Sequence, residues 1–167
     1  MVARGNSRDK GQMAAKSAGT KAGANEWLDT FVPYQIYRVS TLMNMRLQGR
    51  LKAVGINLSQ WRVLSVLRSH GCLSLTHIVE RTVMEQPTIS RVIGQLEDEG
   101  LVERAGSPDD SRISLVSLSP KGEAMFDAIS PDAVRHQRTA LEGLTPEDLA
   151  SLRRILGHIE NNVSRDR

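Results

Sequence analysis

Apolar residues begin to recur with a helical period only after residue 25. Over 26–51, Trp27, Phe31, Tyr34, Arg38, Leu42 and Met45 follow one another at steps of three and four, which predicts one helix. Ser59 reads as the next N-cap, with Trp61, Leu64 and Leu67 on one face and Gly71 as the stop. Ser74 reads as the cap of a short helix over 75–81. Another helix is predicted over 86–99, ending at Gly100. Pro87 fits its first turn, where the missing N–H has no helical partner.

The texture then changes. Residues 101–105 read as a short strand and 106–111 as a turn cluster of Gly, Ser, Pro and Asp. Over 112–118, Ile113 and Leu115 flank Ser114 at the period of a strand. These pieces predict a β-hairpin. Ser119 and Pro120 open a helix carrying Met125, Phe126, Ile129 and Val134, which Pro131 is expected to bend or interrupt. Thr145-Pro146-Glu147-Asp148 is a helix start with a cap and early acids. Behind it, Leu149, Leu152, Ile155, Leu156, Ile159 and Val163 form an apolar stripe.

Helix, short helix, helix and hairpin, in that order over 57–118, make a winged helix-turn-helix. The expected fold class is therefore mainly α (α+β). On the second helix of the motif, Ile89, Val92, Ile93 and Leu96 share a narrow arc and should face the core. The opposite side carries Pro87, Arg91, Gly94, Gln95 and Asp98, with Thr88 and Ser90 on its flanks. An ordinary solvated face would carry Glu and Lys. Thr, Ser, Arg and Gln instead bond base edges and phosphates: Arg91 can donate two bonds to a guanine, and Gln86 or Gln95 can pair with adenine. The helix N-terminus suits a phosphate. At the wing tip, Arg112 can enter a minor groove, with Asp110 extending its guanidinium. Arg104, on the first wing strand, can reach a phosphate.

Charge refines the picture. The chain carries 22 basic and 19 acidic residues, a formal net charge of +3. Arg4, Arg8, Lys10, Lys16 and Lys21 lie in the first 25 residues against the single acid Asp9, so the remainder is close to neutral. DNA binding by the folded part must rest on local patches. Residues 1–25 hold no branched aliphatic or aromatic residue except Val2, and read as a disordered basic tail.

The run EQPTISRVIGQLEDEGLVERAGSPDDSRISLVSLSPKG, residues 85–122, resembles the MarR family of bacterial regulators. Pro87, Thr88, Ser90 and Arg91 match the opening of that family's recognition helix. Leu96, Glu97, Gly100, Leu101 and Val102 match its end. Asp110 and Arg112 match its wing tip, and Leu118, Ser119, Pro120, Lys121 and Gly122 the segment after it. The resemblance covers about 26–162. It implies a homodimer with dimerisation helices at 26–56 and 119–164, an inverted-repeat site in double-stranded DNA, and repression. It also implies release by a small phenolic or anionic effector. The DNA-binding residues expected are Ser74, Gln86, Pro87, Thr88, Ser90, Arg91, Gln95, Arg104, Asp110 and Arg112. Tyr37, Arg38 and Trp61 are the candidate effector contacts, with Arg46 and Arg50 available to an anion. Two positions depart from the family: Glu85 stands where serine is common, and Ser111 where a second wing arginine is common.

Other chemistry finds little support. A single cysteine, Cys72, excludes an intrachain disulfide and suits a cytoplasmic protein; it is expected to be buried and inert. Of His70, His77, His136 and His158, none stands at metal-ligand spacing, apart from a poor match of His70 with Cys72. No cofactor is implied, and neither a phosphate-binding glycine loop nor a Gly-x-Ser-x-Gly elbow is present. The stretch 69–79, between Arg68 and Glu80, is far short of the roughly 20 apolar residues that span a membrane. The alternatives to a sequence-specific regulator are a nonspecific architectural DNA binder and a winged helix that serves a protein partner.

Overall fold

The computed structural model describes residues 23–108 and 112–165. In chain order the elements are α1 (Gly23–Thr30), α2 (Val32–Ala53), α3 (Leu58–His70), β1 (Leu73–Ser74), α4 (Leu75–Thr82), α5 (Gln86–Asp98), β2 (Val102–Gly106), β3 (Ser114–Leu118), α6 (Pro120–Ala140) and α7 (Pro146–Ser164). Two compact units divide within α2, the first ending at Thr41 and the second beginning at Leu42.

In the first unit the single helix predicted over 26–51 is broken at Phe31. Pro33 has no N–H to offer the carbonyl of Asp29, so the ladder cannot run through. The helix restarts on the carbonyl of Phe31, which accepts from the N–H groups of Tyr34 at 3.0 Å and Gln35 at 3.2 Å. The apolar side chains of this unit remain exposed, Trp27, Phe31, Ile36 and Tyr37 among them. Trp27 stacks on Phe31, and the Arg38 guanidinium lies 5.9 Å from the Tyr34 ring centre.

The second unit holds the core. Ile89, Val92, Ile93 and Leu96 of α5 are buried as the helical arc predicts, against Val63, Leu64 and Leu67 of α3 and Ile78 of α4. Leu51, Ile56 and Ile129 join them from the flanking segments. No residue of α7 is buried.

Local chemistry sets the ends of the elements. The N-cap of α3 is Asn57, not Ser59. The Asn57 side chain accepts from the Gln60 N–H and the Gln60 side chain accepts from the Asn57 N–H, both at 2.9 Å. This reciprocal pair outcompetes a lone serine two residues later. Gly71 closes the helix with φ 73°, its N–H bonded to the Leu67 carbonyl at 2.8 Å. Ser74 caps α4, as predicted. Antiparallel strands lie in the order β1-β3-β2, with Leu73 and Arg104 on either side of Val116.

The turn between α4 and α5 starts at Val83, which has φ 53° and ψ 40°. A left-handed conformation costs a branched side chain about 1–2 kcal/mol. Val83 is 67% exposed, so packing returns little of that cost. Val83→Gly is therefore expected to raise stability by about 0.5–1 kcal/mol in urea unfolding, net of glycine's greater freedom in the unfolded chain. Val83→Ala, which keeps a Cβ in the same conformation, should not show this gain.

Pro131 does not interrupt α6. The carbonyl that its ring leaves without a backbone donor is that of Asp127, and the Ser130 hydroxyl donates to it at 3.4 Å. At the start of α6 the chain is stitched to the end of α5. Ser119 donates its N–H to the Leu101 carbonyl and its hydroxyl to the Gly100 carbonyl, and its Oγ accepts from the Gly122 N–H. Farther along, His136 is buried, and neither ring nitrogen has a hydrogen-bond partner among the described residues.

Helix α7 opens on a second reciprocal box. Thr145 Oγ1 accepts from the Asp148 N–H, and the Asp148 carboxylate accepts from the Thr145 N–H and hydroxyl. These bonds, the backbone one first, hold the Asp148 carboxyl below the ordinary 3.8. A carboxyl whose pKa is depressed by folding adds stability above its unfolded value, and loses it as pH falls through the folded one. Hydrogen-exchange protection in the first turn of α7 is thus expected to weaken below about pH 4. In Asp148→Asn that titration should be absent.

Cys72 is exposed, contrary to the expectation of a buried thiol. It follows the left-handed Gly71 and precedes β1, in the one stretch between α3 and α4 with no helix face to bury it. Among the described residues there is no group of three or more His, Cys, Asp or Glu side chains able to hold a metal ion, and no helix long and apolar enough to cross a membrane.

Candidate nucleic-acid interface

Helix α5 turns one face into the core and the other outward. Gln86, Pro87, Ser90, Arg91 and Gln95 are exposed, and Thr88 is half-buried. Glu85 occupies the N-cap position, but its side chain makes no capping bond. The positive end of the helix is therefore left without a side-chain cap, which suits an anion, while the Glu85 carboxylate beside it opposes one.

On one flank of α5 lies an open cleft of about 310 Å³. Arg91, Val92 and Gln95 line it together with Gln48 of α2 and Asn57, Leu58 and Ser59 at the start of α3. Two of the residues read as base contacts thus sit beside a second helix N-terminus and several amide and hydroxyl groups. Gln48, Asn57 and Ser59 were not foreseen as part of a site. Only the Asn-x-x-Gln box at Asn57 could have signalled that a helix begins there.

The wing packs against α5 through β2. Strands β2 and β3 form its stem, and across the tip the Ser107 N–H donates to the Ile113 carbonyl at 2.8 Å. Arg112 is exposed at the base of the tip. Asp110 lies outside the described residues. Arg104 projects from β2 and pairs with Glu97 of α5, Nε to Oε2 at 2.8 Å, both side chains partly exposed. Ser74 is committed to its cap: its Oγ accepts from the His77 N–H and bonds His77 Nδ1 at 3.1 Å.

The candidate effector contacts fall in the two units described above. Tyr37 is 64% exposed and Arg38 lies over Tyr34. Trp61 is half-buried, flat against Phe126 at 5.0 Å between ring centres. Arg50, considered for an anion, pairs with Asp132 at 3.3 Å.

A helix-turn-helix whose second helix bares arginine, glutamine and small hydroxyl residues, followed by a two-stranded wing, is the DNA-binding module of a transcriptional regulator. Comparison with known proteins agrees. The sequence profile of the MarR family matches residues 54–113. The uncharacterized HTH-type transcriptional regulator YwoH of Bacillus subtilis is 30% identical over 115 residues, covering 69% of this chain and 83% of that protein. The crystal structure of a MarR family regulator from Silicibacter pomeroyi is similar with a TM-score of 0.79 and 29% identity, over 89% of this chain and 99% of that one. A mutant of E. coli MarR in complex with operator DNA shares the fold, with a TM-score of 0.70 and 22% identity over 80% and 96%. The chain belongs to the MarR family: it is a DNA-binding transcriptional regulator, not an enzyme.

Proposed function

We propose that this regulator is a repressor that binds an inverted-repeat operator in double-stranded DNA as a homodimer. The observation that carries the reading is the exposed face of α5, where Gln86, Thr88, Ser90, Arg91 and Gln95 stand next to a wing bearing Arg112. In this reading α5 enters the major groove and Arg91 and Gln95 read base edges. Pro87 sets the first turn, Ser74 at the start of α4 and Arg104 on β2 stand near the sugar–phosphate backbone, and Arg112 reaches the neighbouring minor groove.

A second copy is called for by the apolar surface. In α7, Leu152, Ile155, Leu156 and Val163 are exposed, as are Trp27, Phe31, Val32 and Ile36 near the other end of the chain. Apolar stripes of that extent mark an interface. Residues 26–56 and 119–164 are the segments proposed to pair across a two-fold axis, which an inverted repeat would match. A small phenolic or anionic effector, met by Tyr37, Arg38 and Trp61, is proposed to release the DNA, and the site of action is the cytoplasm.

The test is selection from fragmented genomic DNA by the purified full-length chain near physiological salt. The reading expects a few enriched fragments that share an inverted repeat, and footprints of one dimer on each. Even retention of all fragments would mark an architectural binder, and no retention a winged helix that serves a protein partner.

A further inference from the structure

The ion pair between Glu97 and Arg104 is placed where it can set how tightly DNA is held. Val102 is buried, so Arg104, two residues on, lies on the same face of β2 and turns toward α5. There its Nε donates to Glu97 Oε2 at 2.8 Å, with 39% and 43% of the two side chains exposed. The pair ties the last turn of α5 to the first strand of the wing. If α5 occupies a major groove and the wing tip the adjoining minor groove, one sugar–phosphate backbone must pass between these two elements. Arg104 is the cation of that junction, and Glu97 is its counter-charge.

We propose that Glu97 restrains Arg104 from engaging a backbone phosphate and so acts as a built-in brake on DNA affinity. The inference rests on the DNA-binding reading above. It follows from charge. A neutral pair displaces no counterion from DNA, whereas an arginine released to a phosphate displaces about one. Glu97 also carries a negative charge to the same junction, where it opposes the approach of the backbone. An exposed pair is weak, so neutralising one partner is enough to free the other. Glu97 is thus a positioning residue acting through Arg104, and base recognition by α5 is left to other side chains.

The experiment measures binding of the full chain to a short fluorescein-labelled random-sequence duplex, at several salt concentrations between about 50 and 200 mM. Glu97→Gln keeps the shape and removes the charge. It is expected to bind roughly fivefold more tightly near physiological salt, with a log–log salt slope steeper by about 0.9. Glu97→Gln combined with Arg104→Ala is expected to keep the wild-type slope, because the pair it removes is neutral and neither member is on a phosphate in the wild-type complex. A purely structural role would move the melting temperature but not the slope. Unchanged or weaker binding by Glu97→Gln, or a shallower slope in the variant that combines Glu97→Gln with Arg104→Ala, would overturn the proposal. A wild-type chain that binds neither this duplex nor any genomic fragment would overturn the DNA reading itself, a result distinct from both.

Discussion

Gly122→Ala is expected to destabilise the chain by about 3 kcal/mol, lowering the midpoint of thermal unfolding by roughly 6–12 °C. A Cβ built on Gly122 would run into the Leu101 carbonyl oxygen and lie 3.0 Å from its carbonyl carbon. Both are backbone atoms, and they are held in place. The same carbonyl accepts the Ser119 N–H, and the Ser119 hydroxyl is bonded to Gly100. Helix α6 must therefore rise off the α5–β2 turn, breaking the bonds that join the end of the recognition helix to the rest of the body. Gly94 provides the control. It lies in α5, outside the segments proposed to pair, with open space around it, so Gly94→Ala should be neutral or slightly stabilising. Equal melting temperatures for the two variants would show that the approach at Gly122 is readily relaxed.

The largest functional effect is expected from Arg91→Ala combined with Arg112→Ala. Each change should cost about 1–3 kcal/mol of binding to a selected operator fragment, so the double variant should bind at least about 30-fold more weakly. The two losses should differ in kind. Arg91 belongs to α5, and its removal should relax the preference at one base pair. Removing Arg112 should act on the wing contact and on sequences with a narrow minor groove. Both residues are exposed, so the folded state should be retained. Fluorescence anisotropy with the operator and single-base variants separates the two effects. Wild-type affinity in the double variant would mean that the described face of α5 does not meet DNA.

The face of α5 was legible in the sequence because a helix maps position to angle: burying Ile89, Val92, Ile93 and Leu96 leaves Arg91 and Gln95 outside. Caps were legible where one residue type acts alone, as at Ser74, and less so where two compete. At the start of α3, Asn57 prevailed over Ser59 because Gln60 completes its box. Pro33 and Pro131 carry the same local signal with opposite outcomes. One breaks the helix at Phe31, and the other lies within an unbroken α6, where the Ser130 hydroxyl makes a long bond to the carbonyl left open. Strand β1 has two residues and exists only through its pairing with β3, which no periodicity can announce. The same limit hid the cleft beside Arg91. Gln48, Ser59 and Gln95 are distant in sequence and meet only through the packing of α2, α3 and α5. It hid the engagement of Arg104 as well, since a helix residue and a strand residue share no common period.

Sequence-specific recognition by α5 is the centre of the account, and the specificity ratio tests it most directly. The dissociation constant of the wild-type chain would be measured near physiological salt for the most enriched genomic fragment and for the same fragment with its repeat scrambled. A ratio of about 10³ or more is predicted, falling at least about tenfold in Arg91→Ala. A ratio near one, unchanged by Arg91→Ala, would contradict the account and leave only charge-driven binding to the DNA backbone.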